Sequence, residues 1–170
     1  MFRPGQRAAW LSVWLTALTL AACLAPAEHP ILTQFFAASR LRDRTALATF
    51  ATVAFEPNSD GIVNTFSITS VTVEQREPLT REALARRQPV IALSVADPRN
   101  PVDATKHEGD LVSKDVTIEA PVRLPGGQTV EKTLVITMQR AELRGGRSIT
   151  GRWIITGVRD ARGSAATPRS

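Results

Sequence analysis

One cysteine, two histidines and a few acids carry most of the chemistry open to this sequence of 170 residues. Cys23 closes the run Leu20-Ala21-Ala22-Cys23. A thiol is the best nucleophile the chain offers for accepting a transferred group. The small residues before it let a peptidase grip extended chain. The histidines stand far apart. His29 precedes the first predicted helix, whereas His107 sits beside Asp103, Glu108 and Asp110 in a Pro-rich loop. Acid and imidazole in one loop are a donor set for a metal or for proton transfer. The plainer reading, a solvated loop, is adopted. Asp43 is better placed to cap a helix, while Glu119 and Glu131 alternate with apolar residues and so face solvent. No serine nucleophile elbow, Gly-rich phosphate loop, zinc signature or sustained heptad occurs. No catalytic residue, metal or cofactor is therefore expected, and the chain reads as a non-enzyme.

The residues ahead of Cys23 account for its position. Met1 to Arg7 carries Arg3 and Arg7 and no acid; Ala8 to Leu20 is uncharged and apolar. A basic start, a short apolar middle and a small-residue end define an export signal. The middle is shorter than the roughly 20 residues of a membrane span. Residues 1–22 are read as the signal and 23–30 as a tether. Two rival readings use the same residues: cleavage after Ala27, from Ala25-Pro26-Ala27, or retention of Ala8 to Ala27 as an uncleaved anchor. All three export the remainder of the chain, since the basic end stays inside.

Removing residues 1–22 also removes two of the 21 basic residues, so 19 face 16 acids and the charge falls from +5 to about +3. The basic residues are scattered, without aromatic interleaving, which argues against nucleic-acid binding. With Cys23 modified no thiol remains for a disulfide, and the domain must rest on its apolar core.

Hydrophobic periodicity outlines that domain, residues 31–159. Ile31, Leu32, Phe35, Phe36, Ala38 and Ser39 share one face of a helix over Ile31 to Leu41. Asp43 caps a second helix, with Ala46, Leu47, Phe50 and Ala51 as its stripe, ending near Thr52. Pro57 to Gly61 is a turn. From Ile62 to Val73 the period becomes two, with a switch of face near Ser70 that predicts a bulge. Arg76 to Gln88 is polar and helix-permissive; Pro89 to Val95 reads as a buried strand; Asp97 to Gly109 is a loop. Leu111 to Leu124 alternates, with Val112, Val116, Ile118, Ala120 and Val122 on one side. Pro125-Gly126-Gly127-Gln128 is a hairpin turn, and Val130, Leu134, Ile136 and Met138 alternate in the return strand. A second turn at Arg144 to Arg147 precedes a last strand bearing Ile149, Trp153 and Ile155. The class is α+β: N-terminal helices packed on a curved antiparallel sheet that ends in a three-strand meander. Arg159 onward lacks any period, and residues 160–170 are expected to be a disordered tail.

Two resemblances add expectations. Leu20-Ala21-Ala22-Cys23 resembles the bacterial lipobox. That likeness implies a diacylglycerol on the Cys23 thiol, cleavage after Ala22, and three acyl chains where stable anchoring needs two. Asp just after the cysteine tends to hold such proteins in the inner membrane. Leu24 stands there, which implies the outer membrane, facing the periplasm, in a host that has one. Phe35-Phe36-Ala37-Ala38, then Arg42-Asp43-Arg44-Thr45-Ala46-Leu47 and Phe50-Ala51, resembles the opening of nuclear-transport-factor-2-like domains. Gly151-Arg152-Trp153-Ile154-Ile155 is similar to their last strand. The likeness implies a cone of helices against a sheet. Phe35, Phe36, Phe50 and Trp153 meet between those layers and are the candidates to line an apolar pocket, while plain core is the commoner role for such aromatics. The family's enzymes place Asp, His or Tyr there, and this sequence has no Tyr. The expectation is a lipid-anchored envelope protein whose domain binds an apolar ligand or another protein. An isomerase- or dehydratase-like enzyme is the first alternative, and a homodimer formed through the sheet face is the second.

Overall fold

A computed structural model describes residues 26–97, 102–103, 107–145 and 148–161. Cys23 with the whole signal segment, and the tail from 162 on, lie outside the described residues. The fold is α+β, helices set against a large antiparallel sheet.

Helix α1 spans His29–Leu41. Leu32, Phe35, Phe36 and Ser39 are its buried stripe at helical spacing. Pro30 sits in its first turn, where a missing N–H costs nothing. The helix stops at Arg42, which turns left-handed at φ 55°, and the Asp43 amide donates back to the Ala38 carbonyl at 2.9 Å. Helix α2, Arg44–Leu47, starts as expected, with the Asp43 carboxylate accepting from the Ala46 amide. It is far shorter than its stripe suggested. One further turn follows, with the Ala51 amide on the Leu47 carbonyl at 2.8 Å, and then Phe50 and Thr52 bond to Ile155 through their backbones, at 3.0 and 2.9 Å, so sheet pairing captures the chain there.

The predicted strand from Ile62 to Val73 is broken. It forms β1, Ile62–Val63, and β2, Ser67–Val71, with a register shift between Ile68 and Ser70 where the apolar pattern switched face. Next comes β3, Gln75–Pro78, in residues expected to be helix-permissive. All three pair antiparallel with β4, Glu108–Arg123. The β4 strand pairs along its whole length with β5, Thr129–Arg144. Their hairpin is the Pro125 to Gln128 turn, where Gly127 takes the positive φ of 85° that a side chain would resist. The far edge of β5 carries β6, Ile149–Thr150, and β7, Ile154–Asp160. Asp160 is thus in a strand and not in the tail.

The largest departure is α3, Arg81–Ser94. The run from Pro89 to Val95 is its second half and not a strand. Proline's φ of about −65° is helical, and its cost is one missing hydrogen bond. Ala83, Val90, Ile91 and Ser94 are buried at helical spacing and repay that cost by packing. The Thr80 hydroxyl caps the start by accepting from the Ala83 amide.

Helices cover the sheet on both sides. Successive strand residues face opposite ways, and Ile154 and Ile155 mark the two faces. Ile155 joins the core of Phe35, Phe50, Val116, Ile136 and Met138 under α1 and α2. Ile154 joins Ile91, Val95, Leu111 and Leu143 under α3. Among the described residues no helix is long and apolar enough to cross a membrane.

Candidate functional site

The four aromatic candidates take three different places. Phe35 and Phe50 are core side chains beneath the sheet. Phe36 touches Phe35 edge-on at 5.2 Å and Phe55 at 5.6 Å, and it reaches a cleft beside α1. That cleft, about 270 Å³, runs between α1 and the segment 63–66. Helical spacing brings His29, Thr33, Phe36, Ala37 and Arg40 to one wall, and Val63, Asn64, Thr65 and Phe66 form the other. His29, the first residue of α1, stacks on Phe66 at 4.9 Å. Arg40 donates to the Asn64 side chain at 2.8 Å, which closes the far end. A larger recess, about 500 Å³, borders α3 between Arg81, Leu84, Ile91 and Val102.

Trp153 lies elsewhere, half-buried beneath two cations. The Lys114 ammonium is 4.1 Å from the indole centroid and the Arg140 guanidinium carbon 4.5 Å. Lys114 belongs to the inward register of β4, between Val112 and Val116, and is only 8% exposed. Its partner is Glu28, just ahead of α1, at 2.5 Å. Burial pushes the Glu28 carboxyl up. The hydrogen bond from Lys114, a backbone hydrogen bond and the Lys114 charge outweigh it and hold the group below the ordinary carboxylate range. Lys114 marks a boundary. On the same register the sheet is apolar toward Val122 and charged toward the other end. There Arg76 pairs with Glu142, and Arg140 bonds Glu142 at 2.8 Å and Glu74 at 3.3 Å. Hydrogen bonds from Arg76, then from Arg140, lower the Glu142 carboxyl in spite of its partial desolvation.

Sequence reasoning passed over Lys114, Glu28 and Arg140. The signal was there for Lys114: it occupies the missing place in the series Val112, Val116, Ile118, Ala120, Val122. Glu28 carried no local signal, because its partner lies across the fold.

The acid and imidazole loop is taken apart by the strand. Glu108 and Asp110 belong to β4, and Asp110 pairs with Arg144. The His107 Nδ1 is buried without a hydrogen-bond partner, against Gly145. Among the described residues no three His, Cys, Asp or Glu side chains gather to hold a metal ion. Asp43 is a helix cap, and Glu119 and Glu131 are exposed, as their patterns indicated.

No protein-family model matches this chain, and neither a curated protein nor a solved structure matches it.

Proposed function

We propose that the chain is a lipid-anchored protein of the bacterial cell envelope, tethered through Cys23. Its α+β body, built on a nuclear-transport-factor-2-like cone, binds an apolar ligand and does no chemistry on it. The observation that carries the binding half is the cleft beside α1. Phe36, Phe66, Val63 and Ala37 supply apolar wall, while Arg40 is committed to Asn64 and His29 lies flat on Phe66. Ligand sites combine apolar walls with a few polar groups that fix orientation, and span roughly 300–1,000 Å³. At about 270 Å³ this cleft falls just below that range and suits one ring or a short alkyl chain, with Arg40 beside any acidic end. The anchoring half rests on Leu20-Ala21-Ala22-Cys23, and Leu24 points to the outer membrane of a diderm host.

Each half has its own test. Fractionation of cells making the Cys23→Ser chain should move the protein from membrane to soluble fractions; unchanged membrane association and processing would remove the anchor. For the cleft, the probe is the apolar anionic dye anilinonaphthalene sulfonate. Wild-type protein should brighten it saturably, and Ala37→Trp, which fills the cleft from a half-buried position, should abolish most of that signal. Equal binding by both chains rejects the cleft, and turnover of a small carbonyl or epoxide compound by the purified protein rejects the non-catalytic reading.

A further inference from the structure

Leu24, Ala25, Pro26 and Ala27 carry no charge, and neither does any residue between Asp60 and Glu74. The fold sets these two uncharged stretches side by side. Glu28 ties the entry of α1 to Lys114 of β4 at 2.5 Å, and His29 lies on Phe66, just ahead of β2. The strands β1, β2 and β3 pair with β4 and make one outer edge of the sheet. On that edge Val71 stands opposite Val116, a residue of the core under α1. Residues opposite one another in an antiparallel pair share a face, so Val71 lies on the α1 side. Thr72 is held to Asp115, the neighbour of Lys114: its amide donates to the Asp115 carbonyl and its hydroxyl accepts from the Asp115 amide, both at 2.9 Å. Among the described residues three large apolar side chains are exposed, Leu41 at 72%, Val71 at 41% and Val73 at 87%. The two valines flank Thr72 and so stand beside the place where the tether meets the body. Leu41 closes the far end of α1, about 18 Å away at a rise of 1.5 Å per residue.

We infer that this edge seats the body on the bilayer that holds its anchor, with Val71 and Val73 entering the headgroup layer. The inference rests on the Cys23 anchor proposed above. Only Leu24 and Ala25 separate Cys23 from Pro26, so extended chain spans at most about 11 Å between those two residues. The headgroup layer on one side of a bilayer is itself about 5–7 Å thick. A lipid on Cys23 therefore keeps Pro26 close against the headgroups, and the surface around Pro26 must suit them. The Glu28 pair with Lys114 decides which surface that is, because it stops the chain entry from swinging round the body. An uncharged edge with two exposed valines suits that layer. Apolar side chains gain there by leaving water, and residues 61–73 press no carboxylate against lipid phosphates. The next acid along the edge, Glu74, is already met by Arg140 at 3.3 Å. Two valines are too little to hold a protein at a membrane by themselves. The acyl chains do that, and the valines fix how the body lies.

With Cys23 acylated, an introduced cysteine is the sole free thiol. The lipidated chain carrying Val73→Cys or Leu41→Cys, both at exposed sites, is labelled with a nitrobenzoxadiazole dye and reconstituted into vesicles of phosphatidylethanolamine and phosphatidylglycerol. Quenching by nitroxide-bearing lipid reads contact with the bilayer, and quenching by iodide reads contact with water. The nitroxide lipid should quench the Val73 label about twofold more than the Leu41 label, and iodide should show the reverse order. Adding Val71→Glu to Val73→Cys should erase that difference, since an acid on the edge is repelled by anionic lipid. Equal quenching at the two sites overturns the seating, as does a difference that survives Val71→Glu. Wild type separates this failure from failure of the anchor. If it takes the dye at Cys23 and does not float with the vesicles, the anchor is lost and the seating with it; if it floats unlabelled while the Val73 label stays in water, the seating alone is overturned.

Discussion

Lys114 is the residue on which the α1 side of the molecule turns. An ammonium 8% exposed between two valines is tolerated because Glu28 neutralises it and the Trp153 ring lies against it. Removing one member of such a pair strands the other, which costs about 3–5 kcal/mol when burial is complete. Glu28 is 11% exposed, so the lower end applies. Lys114→Met and Glu28→Gln should each destabilise by about 3 kcal/mol. The double variant should recover most of that loss, because neither charge is then left alone. Urea melts of the four proteins decide it, and additive losses in the double variant would show that no coupling exists. The indole gives a second readout. Trp10 and Trp14 precede Cys23, so a chain cut there keeps Trp153 as its sole tryptophan. Lys114→Met should change its emission without unfolding the protein.

At the scale of elements, legibility tracked how local the deciding force was. The α1 stripe, the Asp43 cap, the bulge near Ser70 and the long β4–β5 hairpin are written in neighbouring residues, and the sequence shows them. The short α2 and the helical Pro89 to Val95 were decided by partners far along the chain: Ile155 for the first, Leu111 and Leu143 for the second. A seven-residue apolar run starting at proline looks like a strand until the buried Ala83 extends its stripe one turn-set back. Of the site, the aromatic wall at Phe36 was legible, whereas Val63 to Phe66 opposite it was not, because a break in a strand leaves little pattern. Pro89 is exposed within α3, so replacing it restores a hydrogen bond without disturbing packing. Pro89→Ala should stabilise by about 1–2 kcal/mol, the helix gain reduced by a more flexible unfolded chain. A loss of stability would mean the ring packs against something essential. Gly151 is the opposite case. Its amide donates to Ala141, and a Cβ there would lie 2.2 Å from the Ser94 hydroxyl, which itself bridges the Ala141 amide and the Arg152 carbonyl. Gly151→Ala should cost about 2–3 kcal/mol by overpacking the joint between α3 and the sheet; a thermal melt within a degree of wild type would refute that.

Across the whole molecule, two carboxylates held below their ordinary range tie together parts distant in sequence. Glu28 fixes the entry to α1 against β4, and Glu142 on β5 holds β3 through Arg76. Both have folded-state values lowered from 4.5. A depressed carboxylate binds its proton more weakly in the folded chain than in the unfolded one, so acid favours unfolding. The stability they contribute is fully present above about pH 4.5 and drains away as pH falls through their folded-state values. The more buried Glu28 should dominate, with Glu142 discounted because its pairing is partly open to water. The parts released first are those the pairs hold: the start of α1, where the chain enters from Cys23, and the β3 end of the outer edge. The apolar layers under α1 and α3 contain no such link and should persist. Thermal melts followed by circular dichroism should therefore show a lower midpoint at pH 3 than at pH 7. The Glu28→Gln chain should show a smaller difference, because it has already lost its titrating partner. Hydrogen exchange at pH 3 should quicken at residues 28–32 and 75–78 before it quickens in β4 and β5. Equal midpoints at the two pH values, or an undiminished acid loss in Glu28→Gln, would show that the Lys114 pair does not set the acid limit of the fold.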